Sequence, residues 1–193
     1  DGSVTTLDAG FPTVAAVHAR ELVVADFNGD GRPDYFSANH GCDFGTLPGE
    51  RNSLILSNVD GTYANASASL PNYDSFVHSA DAAVLRPGAL PDIVVMPMGR
   101  LGSSNIAPYI LRNDGAGGFI EDHTSLAPLL TVPMGAFVSV KLADLNGDGL
   151  ADLIVGGFKT PDRVFMNDGA GGFNTAEIVL PRPALPTEEL AEL

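Results

Sequence analysis

The chain has 193 residues and a formal net charge of −14, from 24 acidic and 10 basic side chains. That length supports one sizeable core. The charge argues against nucleic acid or an anionic membrane surface as partner, because both need clustered Lys and Arg, and no apolar run reaches the roughly eighteen residues that membrane insertion requires.

The first patterned stretch is Glu21-Leu-Val-Val-Ala25, short, apolar and β-branched, which reads as a buried strand. It runs into Asp26-Phe-Asn28-Gly-Asp30-Gly31-Arg32-Pro-Asp34. Nine residues there carry four oxygen-bearing side chains, at positions 1, 3, 5 and 9. Gly29 and Gly31 sit where a tight loop must bend. Such a loop turns its alternate carboxylates and amide inward, and the carbonyl of position 7 adds a further oxygen. This set suits calcium, which takes six to eight oxygen ligands, better than magnesium. Zinc would want His or Cys. An EF-hand would need Glu at position 12, where this chain has Ser37.

A variable loop follows, Ala38 to Asn52. It contains His40-Gly-Cys42-Asp43, the residue types of a thiol or acid–base site, but adjacency in sequence says little about geometry. Cys42 is the only cysteine, so no internal disulfide forms. Ser53-Leu-Ile-Leu56 then alternates like a strand, and Asn58-Val-Asp-Gly61-Thr-Tyr63 is a hairpin signal.

After the link Leu70 to Val77, the pattern repeats in altered form. Val84-Leu-Arg86-Pro-Gly88-Ala-Leu-Pro91-Asp92 keeps the length, the Pro-Asp ending and the apolar flanks, but loses the first three ligands. Arg86 stands in the slot of Asn28 and Gly88 in that of Asp30, so no metal is expected. Arg86 is instead placed to pair with Asp92 or Asp81. Pro108-Tyr-Ile-Leu111 and the turn Asn113-Asp-Gly-Ala-Gly-Gly-Phe119 complete this repeat.

A link from Pro128 to Ala136 leads to the third repeat. Asp144-Leu-Asn146-Gly-Asp148-Gly149-Leu150-Ala-Asp152 restores every ligand position, with Val155 at position 12. One such loop could be an ordinary Asp-Asn-Gly turn; two with the same spacing point to a cation. Arg163-Val-Phe-Met166 and Asn167-Asp-Gly-Ala-Gly-Gly-Phe173 follow. The tail Pro186 to Leu193 could form one short helix or fray.

Each repeat thus reads strand, loop, strand, variable loop, strand, Asn-Gly turn, strand. The closing aspartates Asp34, Asp92 and Asp152 are 58 and 60 residues apart. Four-stranded antiparallel units of this size repeated around an axis make a β-propeller. The fold class is all-β: one segment over 1–193, with blades at about 13–67, 76–124 and 136–180 and a tail at 181–193. Three blades form part of a ring, either within a longer protein or closed by self-association.

The D-x-N-G-D-G-x-x-D loops between apolar strands and the N-D-G-x-G-x-F turns resemble the FG-GAP or VCBS repeat, the repeat of integrin α-subunit propellers and of many secreted proteins. The resemblance covers roughly residues 13–180. It implies two Ca2+ sites. Asp26, Asn28, Asp30 and Asp34 with the Arg32 carbonyl would form one; Asp144, Asn146, Asp148 and Asp152 with the Leu150 carbonyl the other. It implies nothing specific about ligand, because the same blade serves adhesion molecules, lectins and enzyme accessory domains.

Extracellular fluid supplies the free calcium such loops need and cytosol does not, so a secreted or cell-surface location is expected. Function on a rigid scaffold sits in variable loops. Here these are Ala38 to Asn52, Pro97 to Ala107 and Gly156 to Asp162, with the inter-blade links. They offer Arg51, Arg100, Lys159, Asn72, Tyr73 and Asn105 to a protein or glycan ligand. The expected function is an adhesion or ligand-binding module. The alternative is a catalytic or accessory propeller domain of a secreted polysaccharide-degrading enzyme, which converging His, Arg, Tyr or acids on the loop face would favour. His18, His40, His78 and His123 show no zinc-pair spacing.

Overall fold

The computed structural model describes residues 11–14, 16, 18–42, 49–98, 106–131, 137–158 and 160–181. They form three four-stranded antiparallel sheets, each built from strands consecutive in the chain. Blade 1 holds β1 (Ala19–Ala25), β2 (Asp34–Asn39), β3 (Ser53–Ser57) and β4 (Tyr63–Asn65). Blade 2 holds β5 (Val77–Ala83), β6 (Asp92–Pro97), β7 (Tyr109–Asn113) and β8 (Phe119–Asp122). Blade 3 holds β9 (Phe137–Ala143), β10 (Asp152–Gly157), β11 (Arg163–Phe165) and β12 (Glu177–Val179). The nine-residue loops 26–34, 84–92 and 144–152 join the first two strands of each blade. Short 3-10 turns, Ser67–Ser69 and Thr124–Thr131, lie in the links. The tail from Pro186 falls outside the described residues.

Register is repeated as well as topology. Ala25 pairs with Asp34, Ala83 with Asp92 and Ala143 with Asp152. Each inner pair slips by one residue near its far end, at Arg20, His78 and Val138. Such a slip bends the strand and raises its twist.

The apolar residues make two cores, one at each blade junction. Phe27, Phe36 and Leu54 of blade 1 pack with Ile93, Val95 and Leu111 of blade 2. Val94, Met96 and Ile110 from the other face of blade 2 pack with Leu153, Val155 and Phe165 of blade 3. β6 is therefore buried on both sides, which explains why its sequence is continuously apolar rather than alternating.

Polar bonds tie the inner strands together. Glu21 of β1 accepts the Ala80 N–H (3.0 Å) and the Ser79 hydroxyl (2.6 Å) of β5. Asp81 of β5 accepts the Leu142 N–H of β9 at 2.9 Å. Lys141 of β9 reaches back to Glu21 at 2.9 Å. Carboxylates from one blade thus satisfy edge N–H groups of the next, which would otherwise stay unpaired.

The sequence register of the first Asn-Gly turn needs one correction. Asn113 ends β7 and Asn167 lies just past β11, with N–H groups bonded to Asp92 and Asp152. The residue so bonded in blade 1 is Ser57, which donates to Asp34. Asn58 closes its turn through N–H to Thr62 O, as Asp114 does to Gly118 and Asp168 to Gly172. Asn58 therefore matches Asp114 and Asp168, not Asn113. Asn and Asp serve turns interchangeably, so the sequence gives no warning of the slip.

Candidate functional site

The two intact loops fold alike. Asp26 accepts N–H groups from Gly29 (2.7 Å), Asp30 (3.2 Å) and Gly31 (2.8 Å). Asp144 accepts them from Gly147 (2.6 Å), Asp148 (3.2 Å) and Gly149 (2.9 Å). The second ligand position repeats too: Asn28 accepts from Asp30, and Asn146 from Asp148. So does the third, with Asp30 accepting from Arg32 and Asp148 from Leu150. The turn demands left-handed backbone at Gly29, Gly31, Gly147 and Gly149 (φ 77° to 87°), where a side chain would strain it.

Asp34 and Asp152 are buried and close their loops. Asp34 takes the Phe27 and Ser57 N–H groups, both at 2.7 Å. Asp152 takes those of Leu145 (2.9 Å) and Asn167 (2.8 Å). Position 9 therefore welds the loop to the third strand, a structural role that the ligand pattern does not reveal.

Among the described residues, no three His, Cys, Asp or Glu side chains are gathered to hold a metal ion. The loop carboxylates are turned onto main-chain N–H groups. Their donor set still fits a hard cation in kind. It is all oxygen, and an ionised carboxylate has about four lone-pair sites, of which these N–H bonds use only part.

The middle repeat shows what replaces that chemistry. Arg86 bonds Asp92 through Nε (3.1 Å) and Nη2 (2.7 Å), and Arg112 reaches the same carboxylate at 3.1 Å. The expected pairing of Arg86 is thus with Asp92, not Asp81. Asp92 holds the Arg86 guanidinium above its ordinary pKa. Arg112, which the sequence reading missed, also binds Asp122 at 3.0 Å and the Gly171 carbonyl of blade 3 at 2.8 Å. A cleft of about 490 Å³ lies between the first loop and this one, lined by Asn28, Arg86, Leu90 and Asp114 among others.

The opposite face carries the variable loops. Arg100, Lys159 and Asn105 fall outside the described residues, as does Asp43. Arg51 is turned inward onto the Ser67 and Leu70 carbonyls, and Asn72 is exposed. Three histidines converge. The His40 ring lies 5.4 Å from His18 and 5.1 Å from His78, and 3.5 Å from the Phe76 ring. His40 is buried and Cys42 beside it is exposed. The sequence hid this group because its members come from the start of β1, the end of β2 and the start of β5.

A second polar group joins blades 1 and 2. Tyr73 donates to Glu121 at 2.7 Å, and His123 Nε2 lies 2.6 Å from the same oxygen. Asn52 donates to the Tyr109 hydroxyl at 3.2 Å. Burial, with the nearby Glu121, pushes both tyrosines up and away from ionisation. The bonds from Asn52 to Tyr109 and from Tyr73 to Glu121 tie the two blades together.

Two partly buried carboxylates, Asp122 and Glu21, are among those held below their ordinary pKa. For Asp122, burial pushes the value up but is outweighed by bonds from Ser125, Thr124 and Arg112. For Glu21, burial likewise opposes bonds from Lys141, Ser79 and Ala80, which win. A depressed carboxylate stabilises the fold above its unfolded pKa of about 4, and that contribution disappears as pH falls through the folded value. Urea midpoints are therefore expected to fall steadily from pH 5 downward. Asp122→Asn should flatten that slope; an unchanged slope in the variant would remove Asp122 from the account.

The geometry defines a class: a run of four-stranded antiparallel blades, two of them with matching D-x-N-G-D-G-x-x-D loops. Residues 90–155 match the FG-GAP-like repeat. The match runs from the middle blade through the whole second loop. Among solved structures, the chain is similar to a lectin of Agrocybe aegerita that recognises non-reducing terminal N-acetylglucosamine. The identity is 24% and the TM-score 0.48, over 82% of this chain and 37% of that one. The chain thus spans well under half the length of that protein. No curated protein matches it. Among the described residues, no helix is long and apolar enough to cross a membrane.

Proposed function

We propose that the chain is a calcium-binding propeller segment of an extracellular protein, presenting its variable-loop face to a glycan or protein ligand. The observation that carries this reading is the shared fold of the two loops. Asp26, Asn28, Asp30 and Asp34 accept the same pattern of main-chain N–H bonds as Asp144, Asn146, Asp148 and Asp152, though 118 residues separate the loops. With the Arg32 and Leu150 carbonyls they would hold one Ca2+ each. The ion would supply charge neutralisation and rigidity, leaving recognition to the opposite face.

Calorimetric titration of chelator-treated protein tests the metal. Two calcium ions per chain are expected, and one in either Asp30→Ala or Asp148→Ala. Zero or three, or full binding in both variants, would refute the assignment. A glycan array probed with and without calcium tests the ligand class.

The convergence of His18, His40 and His78 favours a second reading, a catalytic or accessory domain acting on a polysaccharide. His40 is packed on Phe76, which suits a core role better than proton transfer at a substrate. Release of reducing ends from a polysaccharide panel would separate the two.

A further inference from the structure

Asn28 and Asn146 are the asparagines of this chain that precede glycine, and each holds the third position of its loop. Asparagine is thermolabile, and an Asn-Gly pair is especially so. Glycine has no Cβ to hinder its nitrogen as that atom approaches the asparagine Cγ. Both loops read Asn-Gly-Asp-Gly at this point, so the unfolded chain treats the two pairs alike. The folded chain does not.

Blade 2 closes over Asn28. The Asn28 amide donates to the Ser57 carbonyl at the end of β3, at 3.1 Å. A Cβ at Gly29 would lie 3.3 Å from Leu90 Cδ1, and one at Gly117 would lie 3.6 Å from Asn28 Cβ. Asn28 is half-buried as a result. Among the described residues, Asn146 has no such cover. Its amide bonds within its own loop, to Asp148 Oδ2 at 2.9 Å. A Cβ at Gly147 would meet nothing within 4 Å, and Asn146 is exposed. The bond from the glycine N–H to the first aspartate is common to both loops, 2.7 Å at Gly29 and 2.6 Å at Gly147, and does not separate them.

We propose that Asn146 is a site of spontaneous deamidation in the folded 193-residue chain, and that the cover from blade 2 protects Asn28. The Gly147 nitrogen gives its proton to hydroxide and attacks Asn146 Cγ. The N–Cγ bond forms, the Cγ–Nδ2 bond breaks, and the amide takes a proton from water and leaves as ammonia. Water then opens the succinimide at either of its two ring C–N bonds. Opening at the new bond gives aspartate; opening at the original peptide bond gives isoaspartate. The net change is asparagine plus water to ammonia plus one of these acids, with no oxidant and no enzyme. Either product adds a negative charge beside Asp144 and Asp148. The isoaspartate also lengthens the main chain by one carbon just before Gly147. That moves the Gly147, Asp148 and Gly149 N–H groups out of register with Asp144, which accepts all three. The third-blade loop would thus age while the first-blade loop keeps its shape.

The test follows both pairs in the full chain by peptide mass spectrometry. Excess chelator keeps bound metal from protecting either loop, so the outcome is independent of the calcium reading. Water enriched in heavy oxygen marks the residues converted during the incubation. In urea the two asparagines should convert at matching rates. In the folded chain Asn28 reacts only when its loop opens, so Asn146 should convert faster by about tenfold or more. Leu90→Ala removes part of the cover without touching either asparagine, and should speed Asn28 while leaving Asn146 unchanged. Equal rates in the folded chain overturn the proposal, as does no conversion at Asn146 while the urea sample converts. An Asn28 rate that Leu90→Ala does not move overturns the protective role of blade 2.

Discussion

Excess chelator is expected to lower the melting temperature of this chain by about 10–20 °C. A ligand that binds only the folded state stabilises by mass action, roughly 2.7 kcal/mol per site when free calcium stands 100-fold above its dissociation constant. For a chain of this length each kcal/mol moves the midpoint by about 2–4 °C, and there are two intact loops. The like charges crowded into each loop add to the loss once the metal is gone. The middle blade serves as an internal control. Its carboxylate is neutralised by Arg86 and Arg112, so hydrogen exchange at Asn113 should respond less to chelation than exchange around Asp30 and Asp148. An unchanged melting curve would show that the N–H groups of Gly29, Gly31, Gly147 and Gly149 suffice to hold the loops.

The parts of this structure that were legible in the sequence are those set by neighbours in the chain. A loop with oxygens at alternate positions and glycines at its bends declares itself within nine residues. So do hairpins with Asn-Gly turns and strands of β-branched residues, and their repetition gives the blade. What joins the blades was not legible. Glu21 reaches Ala80, Asp81 reaches Leu142 and Asn113 reaches Phe27, and no local pattern foretells a bond between residues about sixty or more positions apart. Asn113 and Asn167 were visible as turn residues, but their side chains act elsewhere, as staples to the preceding loop. The histidine group is hidden for the same reason. The loss of ligands at Val84, Arg86 and Gly88 was plain, and so was the charge that Arg86 brings. Arg112 was not, because a lone arginine in a strand looks like any solvated one until Asp92 and Asp122 are placed beside it.

Asp92→Ala is expected to destabilise the chain by about 3–5 kcal/mol, the usual cost of removing one partner from a buried charge pair. Asp92 is 0% exposed and accepts four bonds: two from Arg86, one from Arg112 and the Asn113 N–H at 2.8 Å. Alanine leaves two guanidinium groups facing a small void, with the Arg112 side chain only 13% exposed. It also frees the end of β7, which carries the staple to Phe27. Arg86→Met should cost less, because Asp92 keeps Arg112 and the Arg86 side chain is already a third exposed. The order of effects distinguishes a charge-centred junction from simple packing, since the two substitutions trim similar numbers of side-chain atoms and packing alone would make their costs similar. Urea unfolding in saturating calcium measures both variants, and calcium content should stay at two ions per chain in each. A loss below about 1 kcal/mol for Asp92→Ala, the range of exposed ion pairs, would mean that the arginines find other partners and that the middle blade needs no substitute for its missing cation.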